Sequence, residues 1–269
     1  MQQLTFIMGP CMAESETLLS ETADFVSQLS KKYSARFVFK ASFDKANRTS
    51  FESNRGPGLN KSLPWFESIK NKYQLELLTD IHEPNQIENL SLFDIIQIPA
   101  FLCRQTSLLE STILSKKEIN IKKGQFVSAW DAENIISKCQ QICKKNDITP
   151  NLHLTERGYT FGYNQLVVDM RGFQQMASYC DSVIYDVTHS MQTPGKSQGG
   201  SKTSGGTREF ALSTARAAAA TGYVSGFFIE THPDPNKALS DSGVQLSFED
   251  AAKVVDQVYK TTELARSFQ

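Results

Sequence analysis

Short runs of branched and aromatic residues alternate along the whole chain with longer segments of mixed polarity. The short runs are typical of buried strands, and the mixed segments have the spacing of amphipathic helices. The predicted strands are residues 4–8, 36–41, 75–79, 95–98, 119–122, 151–155, 183–186 and 226–230. The predicted helices are residues 17–31, 61–73, 84–92, 105–114, 131–145, 172–179, 208–221 and 248–267.

This alternation predicts the fold class. Strands that alternate with helices favour an α/β protein with a parallel sheet. The chain has 269 residues, and a closed (β/α)8 TIM barrel typically takes ~250 residues. No segment has the composition of a linker, so we predict one TIM-barrel catalytic domain over residues 1–269. An open, doubly wound sheet is the alternative, because alternation alone does not show closure.

Composition narrows the classes of partner and compartment. Hydrophobic residues make up 40% and charged residues 21%, as in a globular protein with a sizeable core. The net charge of −1 predicts no nucleic-acid or membrane-surface partner. We find no signal-peptide pattern and no apolar stretch long enough to span a bilayer. The five scattered cysteines indicate a reducing, cytoplasmic compartment.

Polar residues gather where the predicted strands end. They are Cys11, Lys40, Lys45, Asp80, His82, Gln97, Lys122, Lys123, Glu156, Arg157, Asp186, His189, Glu230, His232 and Asp241. The C-terminal ends of the strands in a parallel barrel face one rim, where the active site lies. The strand starts show no such pattern, so we expect charge to collect at that one rim.

Cations form one part of this set. Lys40, Lys45, Arg48, Lys122 and Arg157 come from four different strand ends. Five cations in one mouth would repel each other unless an anion binds between them. Phosphates and carboxylates are the anions that lysine and arginine recognise, so the pattern predicts a substrate with such groups.

Cys11, His189, Glu230 and Asp241 form a second set. Sulfur, imidazole and carboxylate together suit a divalent transition metal such as zinc, iron or manganese. The four residues are far apart in sequence, so their spacing cannot establish a metal site. A core thiol and a nucleophile remain the alternatives for Cys11. The glycine- and serine-rich loop 195–207 is either a lid or disordered.

Six blocks, in order along the chain, resemble the 3-deoxy-D-manno-octulosonate 8-phosphate synthase family. They are FKASFDKANRTS, QIPAFLCRQT, KKGQF, RGYTFGYNQLVVDMR, DVTHSMQ and FIETHPDPNKALSD. The resemblance extends over residues 9–246 and implies a (β/α)8 barrel. It implies that phosphoenolpyruvate is condensed with D-arabinose 5-phosphate, with release of inorganic phosphate, for the inner core of lipopolysaccharide. It also implies a homotetramer.

The resemblance implies roles for single residues, in three groups. The catalytic residues are Lys40, Lys45, Lys122, Arg157 and Asp80. The substrate-binding residues are Ser42, Asn47, Arg48, Arg55, Gln97, Pro99 and Ala100, with Arg55 reaching the sugar phosphate of an adjacent subunit. The metal ligands are Cys11, His189, Glu230 and Asp241.

The family divides at the position of Cys11. One class has Asn there and works without metal, whereas the other has Cys and needs a divalent ion. The stretch GPCMAESE resembles the second class. Three other functions remain open: the related 3-deoxy-D-arabino-heptulosonate 7-phosphate synthase, a Schiff-base aldolase that uses Lys40, and a barrel that only binds its ligand. The block KANRTS favours the octulosonate enzyme over the heptulosonate enzyme.

Overall fold

The computed structural model of the chain describes residues 3–46, 48, 51–160, 165–193 and 205–268. Eight strands form its centre: β1 (Thr5–Gly9), β2 (Arg36–Lys40), β3 (Glu76–Asp80), β4 (Ile95–Ile98), β5 (Glu118–Lys122), β6 (Leu152–Glu156), β7 (Ser182–Asp186) and β8 (Gly226–Glu230). The α-helices within the described residues are α1 (Glu16–Lys32), α2 (Leu59–Tyr73), α3 (Thr106–Leu114), α4 (Glu133–Asn146), α5 (Arg171–Ala177), α6 (Ala211–Ala220) and α7 (Phe248–Arg266).

The strands close into a barrel. Each strand pairs in parallel with its sequence neighbours, and β1 pairs with both β2 and β8. The structure is therefore a single-domain (β/α)8 TIM barrel, which confirms the predicted fold class and excludes the open sheet. Each predicted strand lies within one residue of the observed one at either end.

Two predicted helices differ from those observed. The segment predicted at 84–92 is a 3-10 helix, Pro84–Asn89, which begins with proline and ends where Leu90 N–H bonds to the Ile87 carbonyl. It is a single short connection before β4, too short for a stable α-helix. The segment predicted at 208–221 starts as a 3-10 turn, Arg208–Phe210, and becomes helical only at Ala211.

The helices bury one face each against the barrel. In α1 the core residues Leu19, Ala23 and Val26 recur at helical spacing, and the Ser15 hydroxyl accepts the Leu18 N–H to cap the first turn. In α6 the buried residues are alanines, whose small side chains let this helix pack closely against its neighbours. No helix of the described chain combines the length and the apolar character that crossing a membrane would require.

The prediction that charge collects at one rim only is wrong. Strand starts at the opposite rim carry an ionic network in which Arg36 pairs with Glu76 at 2.6 Å and with Glu118 at 2.8 Å. His153 Nε2 lies 3.0 Å from the same Glu118 carboxylate. These residues stand at the starts of β2, β3, β5 and β6, so their side chains close the bottom of the barrel together. The sequence does not reveal this network, because each charged residue pairs with residues of other strands that are distant in the chain.

Gly9 sets the spacing at the end of β1. A Cβ on Gly9 would lie 2.0 Å from the carbonyl oxygen of Lys40, which is a backbone atom that cannot move aside. Only glycine therefore lets the ends of β1 and β2 approach this closely. The approach brings Cys11, two residues later, beside Lys40, whose Nζ donates to the Cys11 carbonyl at 3.0 Å.

Candidate active site

The mouth of the barrel holds charged side chains that are removed from solvent. Lys40 ends β2, Lys122 ends β5, Arg157 follows β6, and Glu230 ends β8. All four are buried. Buried charges need partners. We call the part of the mouth with Cys11, His189, Glu230 and Asp241 the metal-donor half, and the part with Lys45, Lys122 and Arg157 the anion-binding half, after the ligands predicted for them.

The metal-donor half contains the four predicted ligands. Donor atoms of Cys11, Glu230 and Asp241 all lie within 4.8 Å of one another. His189 Nε2 is 3.4 Å from Glu230 Oε2 and 3.9 Å from Asp241 Oδ2. Asp241 has a φ of 50°, a left-handed conformation that aspartate tolerates better than most residues. The structure thus brings together residues that are up to 230 positions apart.

Asp186 orients the histidine of this set. Its carboxylate accepts the backbone N–H of His189 at 2.9 Å and lies 2.9 Å from His189 Nδ1. Because Nδ1 faces Asp186, Nε2 is the nitrogen that faces Glu230 and Asp241. A carboxylate behind the far nitrogen is the usual support of a metal-binding histidine.

The donor chemistry fits a divalent cation. Glu230 Oε1 accepts from Lys40 Nζ at 2.6 Å, but Glu230 Oε2 is buried and has no hydrogen-bond partner among the described residues. Burial and the nearby Glu230 carboxylate raise the pKa of the Cys11 thiol well above its usual value. A cation between these atoms would satisfy the free oxygen and stabilise the thiolate.

The anion-binding half contains the cations. Lys45 Nζ donates to Ser42 Oγ at 2.8 Å. Burial opposes the charge of Lys45, but the negative groups around it, Cys11 and Asp80 foremost, raise its pKa overall. Arg157 Nη2 donates to Gln192 at 2.5 Å, while Arg157 Nε is buried and lacks a partner within the described chain. A buried donor without a protein partner is suited to an incoming anion.

Lys122 is a buried cation of the same half. Its Nζ donates to Asp186 Oδ2 at 2.5 Å and sits 3.1 Å from the centre of the Phe228 ring. Burial lowers the pKa of Lys122 to about 8, although Asp186 opposes this shift. The adjacent Lys123 points away, toward Glu156 and the ring of Tyr159. Of the two neighbouring lysines, Lys122 is therefore the one in the mouth.

The predicted sugar-binding residues lie around the loop after β2. Ser42 Oγ donates to the buried Asp80 carboxylate. Arg48 Nε donates to the Asn54 carbonyl at 3.1 Å, and its Nη2 is buried without a partner in the described residues. Arg55 is mostly exposed and pairs with Asp44. Asn47 lies outside the described residues, as does loop 195–207 except for its last three positions.

The end of β4 supplies backbone and amide groups. Gln97 is buried and accepts from Asn120 Nδ2 at 3.0 Å. Pro99 precedes the 3-10 turn Ala100–Leu102, and both Pro99 and Ala100 are buried. These three predicted substrate-binding residues therefore border the mouth between β3 and β5.

Sequence reasoning missed several polar residues beside the metal donors. Ser240 Oγ lies 2.9 Å from Cys11 Sγ, and Gln245 Oε1 accepts the Cys11 N–H at 3.2 Å. Gln192 contacts Asp241. Ser240 and Gln192 stand inside the blocks ALSDSG and DVTHSMQ. Their positions close to the predicted ligands Asp241 and His189 in sequence could have identified them as candidates.

Fold and site together define a (β/α)8-barrel enzyme whose mouth holds buried cations beside a group of residues that could hold a metal ion. Comparison with known proteins gives the family: residues 1–267 match the DAHP synthetase I family, and the chain belongs to it. Curated relatives named 2-dehydro-3-deoxyphosphooctonate aldolase are similar over nearly the whole chain. The one from Desulfotalea psychrophila is 47% identical, covering 96% of this chain and 90% of the relative.

Two further relatives carry the same name. The protein of Legionella pneumophila strain Corby is 43% identical over 96% of this chain and 93% of its own length. The protein of a Chelativorans species is also 43% identical, over 98% of this chain and 93% of its own length. The similarity thus takes in the barrel from its first strand to its last helix.

Proposed function

We propose that this chain condenses phosphoenolpyruvate with D-arabinose 5-phosphate and water. The products are 3-deoxy-D-manno-octulosonate 8-phosphate, a precursor of the lipopolysaccharide inner core, and inorganic phosphate. The relatives are named for a phosphooctonate, an eight-carbon acid. The block KANRTS favours D-arabinose 5-phosphate as the sugar substrate. The chain is accordingly a 3-deoxy-8-phosphooctulonate synthase, a transferase.

The enzyme belongs to the metal-dependent class in this proposal. The observation that carries it is the buried Glu230 Oε2, which has no hydrogen-bond partner among the described residues and lies 3.4 Å from His189 Nε2. Cys11, His189, Glu230 and Asp241 would hold the ion, which is zinc, iron or manganese. Such an ion, when bound, supplies Lewis acidity to the sugar aldehyde or to the attacking water.

The cations hold phosphoenolpyruvate. Lys45, Lys122 and Arg157 bind its phosphate and carboxylate, and the unpartnered Arg157 Nε is a donor that the anion completes. Lys40 is anchored by Glu230 and joins the two halves of the mouth. Holding the enol beside the aldehyde replaces a bimolecular encounter with a positioned one, which is a large part of catalysis for a weak carbon nucleophile.

The reaction forms one carbon–carbon bond and breaks one carbon–oxygen bond. C3 of phosphoenolpyruvate forms a bond to the aldehyde carbon, whose oxygen takes up a proton. Water adds at C2 and loses a proton. The C2–O bond to phosphate then breaks while the remaining hydroxyl proton at C2 passes to the departing phosphate, which leaves a ketone at C2 and releases inorganic phosphate. Lys122 and Arg157 already face the phosphate, so they stabilise the charge that the leaving group acquires.

The sugar side uses the loop after β2. Asn47 and Arg48 bind arabinose 5-phosphate, and Ser42 and Asp80 border it. Arg55 is exposed and would reach the phosphate bound to an adjacent subunit. The resemblance to the family is what supports a homotetramer as the proposed assembly. The proposal places the enzyme in the cytoplasm and assigns residues 1–269 to the one catalytic domain.

The alternative functions are less well supported. The heptulosonate enzyme shares the family name, but the named relatives act on an octonate. Lys40 Nζ is engaged by two buried oxygens, of Glu230 and Cys11, so it suits an anchored cation better than the free amine of a Schiff-base aldolase. Borohydride trapping with substrate should therefore give no covalent adduct.

The test compares two sugars in metal-free and reconstituted enzyme. Chelated protein, shown by elemental analysis to be free of metal, is assayed for phosphate release with arabinose 5-phosphate and with erythrose 4-phosphate. We expect no activity until Mn²⁺, Fe²⁺ or Zn²⁺ is added, and then a strong preference for arabinose 5-phosphate. Equal kcat/KM for the two sugars contradicts the substrate assignment. Full phosphate release by the metal-free protein contradicts the metal-dependent class.

A further inference from the structure

Gln192 is a side chain to which the proposed reaction gives no role. It directly follows the 3-10 turn that carries His189, and it is half-buried. Its amide lies between two residues from different parts of the mouth. Arg157 Nη2 donates to Gln192 Oε1 at 2.5 Å, and Gln192 Nε2 donates to Asp241 Oδ1 at 2.8 Å.

The chemistry of the partners fixes the orientation of this amide. A guanidinium has only donors, so the carbonyl of Gln192 must face Arg157. An ionised carboxylate has only acceptors, so the NH₂ group must face Asp241. A flipped amide would lose both bonds. Glutamine therefore fits a bridge from a cation to an anion, a position where neither glutamate nor methionine could make both bonds.

Gln192 occupies one polar atom of each partner and leaves the other polar atoms of that partner to different contacts. On Arg157 it occupies Nη2, while Nε has no partner within the described chain. On Asp241 it occupies Oδ1, while Oδ2 faces Cys11 Sγ at 3.0 Å and His189 Nε2 at 3.9 Å. One amide thus sets the rotation of an anion-binding side chain and of a metal-donor side chain.

A short ladder connects the backbone of Gln192 to the residues that follow Asp241. Gln192 pairs with Gly206 in a two-residue antiparallel ladder. A Cβ on Gly206 would lie 2.2 Å from a methyl of Val244 and 2.8 Å from the carbonyl of Gly243. Gly206, the ladder partner of Gln192, therefore lies directly against Gly243 and Val244, which follow Asp241 in the chain.

We propose that Gln192 is a positioning residue that couples the anion-binding Arg157 to the metal-donor Asp241. This inference rests on the proposed function in one respect, that these two residues serve phosphate and metal. Coupling between two sites is reciprocal. A change at Arg157 must therefore alter metal affinity through Gln192, and loss of Gln192 must remove that effect.

The experiment is a double-mutant cycle on Mn²⁺ dissociation, measured by titration of metal-stripped protein without substrates. The variants are Gln192→Met, Arg157→Met and the double variant. Methionine keeps the length of glutamine but makes neither bond. Gln141→Met is the matched control, because Gln141 is exposed on α4 and bonds only its helix neighbour Ser137. Thermal melting checks that each variant is folded.

We expect Gln192→Met to weaken Mn²⁺ binding about tenfold, as changes behind a metal ligand usually do, and Gln141→Met to leave it unchanged. The effect of Arg157→Met should differ at least about threefold between the wild-type and Gln192→Met backgrounds, which is the signature of a direct coupling. Gln192→Asn keeps the amide but is too short for both partners, so it should behave like Gln192→Met. This second variant serves if methionine prevents folding.

A dissociation constant for Gln192→Met within twofold of wild type overturns the inference, as does an additive cycle. These titrations contain no substrate, so their result is independent of whether the proposed reaction is correct. If the Gln192 effect appears but the enzyme releases no phosphate from phosphoenolpyruvate, the coupling stands and the reaction is wrong. If the wild-type chain binds none of Mn²⁺, Fe²⁺ and Zn²⁺, both the metal site and the coupling are refuted, and if it binds only Fe²⁺ or Zn²⁺ the same cycle is measured with that ion.

Discussion

Lys122 offers the sharpest test of the anion-binding half, because its ammonium contacts a carboxylate and an aromatic ring at defined distances. Its ammonium donates to Asp186 at 2.5 Å, lies over the Phe228 ring, and is close enough to Lys40 and Arg157 to be repelled by them. Burial is the largest cause that lowers its pKa to about 8. A bound phosphoenolpyruvate anion would share this ammonium with Asp186.

Lys122→Met removes the ammonium and keeps most of the buried stem. Loss of a charge-assisted bond in a largely dry mouth costs on the order of 2–4 kcal/mol. At ~1.4 kcal/mol per tenfold, kcat/KM should fall at least ~30-fold. The assay is phosphate release at varied phosphoenolpyruvate, with melting curves to show that the variant is folded. A fall of less than threefold would mean that Lys122 does not contact the substrate.

The lowered pKa of Lys122 predicts that kcat/KM of the wild-type enzyme falls on the alkaline side of its pH profile. The fraction of charged Lys122 falls as pH rises through about 8, so kcat/KM should drop about tenfold between pH 7 and pH 9. Folding stability should move the other way for this group. Between about pH 8 and its ordinary 10.5 the unfolded state binds more protons, so its contribution to stability grows with pH. Alkaline inactivation from this cause is therefore not unfolding.

Lys122→Arg separates the two effects. Arginine keeps its charge throughout this range, so the variant should lose the fall in kcat/KM near pH 8 even if its overall rate is lower. A fall that persists unchanged in Lys122→Arg would refute the assignment of that titration to Lys122.

Three further predictions concern the donor set, the lower rim and the backbone. Cys11→Asn should lower Mn²⁺ affinity sharply in titrations of stripped protein, because amide oxygen is a poor substitute for thiolate, and unchanged affinity would exclude Cys11 as a ligand. Although burial opposes it, hydrogen bonds from His153 and Arg36 lower the pKa of Glu118 to about 2. Its contribution to stability is thus present above about pH 4.5 and lost as pH falls toward 2, so Glu118→Gln should lower Tm at pH 7 and make Tm less sensitive to acid; equal acid profiles would contradict this. Gly9→Ala should prevent folding or lower Tm by about 8 °C or more, because its Cβ would lie 2.0 Å from the Lys40 carbonyl oxygen. Gly58→Ala strains a backbone whose φ is 78° but meets no atom within 4 Å, so it should lower Tm less than Gly9→Ala does, and a Tm for Gly9→Ala within about 2 °C of wild type would show that the contact with Lys40 is not tight.

Local pattern determined most of the barrel. A strand here is a run of buried branched residues, and its polar ending falls within one or two positions, so both features can be detected in a short window. This is why the sequence alone places Lys40, Lys122 and Glu230 at one rim. The prediction of an α-helix at 84–92 was wrong for the same reason. The 3-10 helix observed there has six residues, and a periodic signal this short does not distinguish an α-helix from a 3-10 helix.

The network at the opposite rim could not be predicted in this way. Arg36 reaches Glu76 and Glu118, which are 40 and 82 positions away. Each residue alone looks like an ordinary exposed charge at the start of a strand. Only barrel closure makes them neighbours.

The same limit holds for the site. The sequence determined which residue types stand at the strand ends, because the hydrophobic pattern that marks a strand can be recognised within a short segment. The resemblance to a family selected Lys122 over Lys123. The strand pattern alone could not, since alternation puts the two lysines on opposite faces without saying which face is inside. Nor could it find the bridge from Arg157 through Gln192 to Asp241. Those contacts join separate strands of a closed barrel, and only the tertiary structure decides which distant side chains meet.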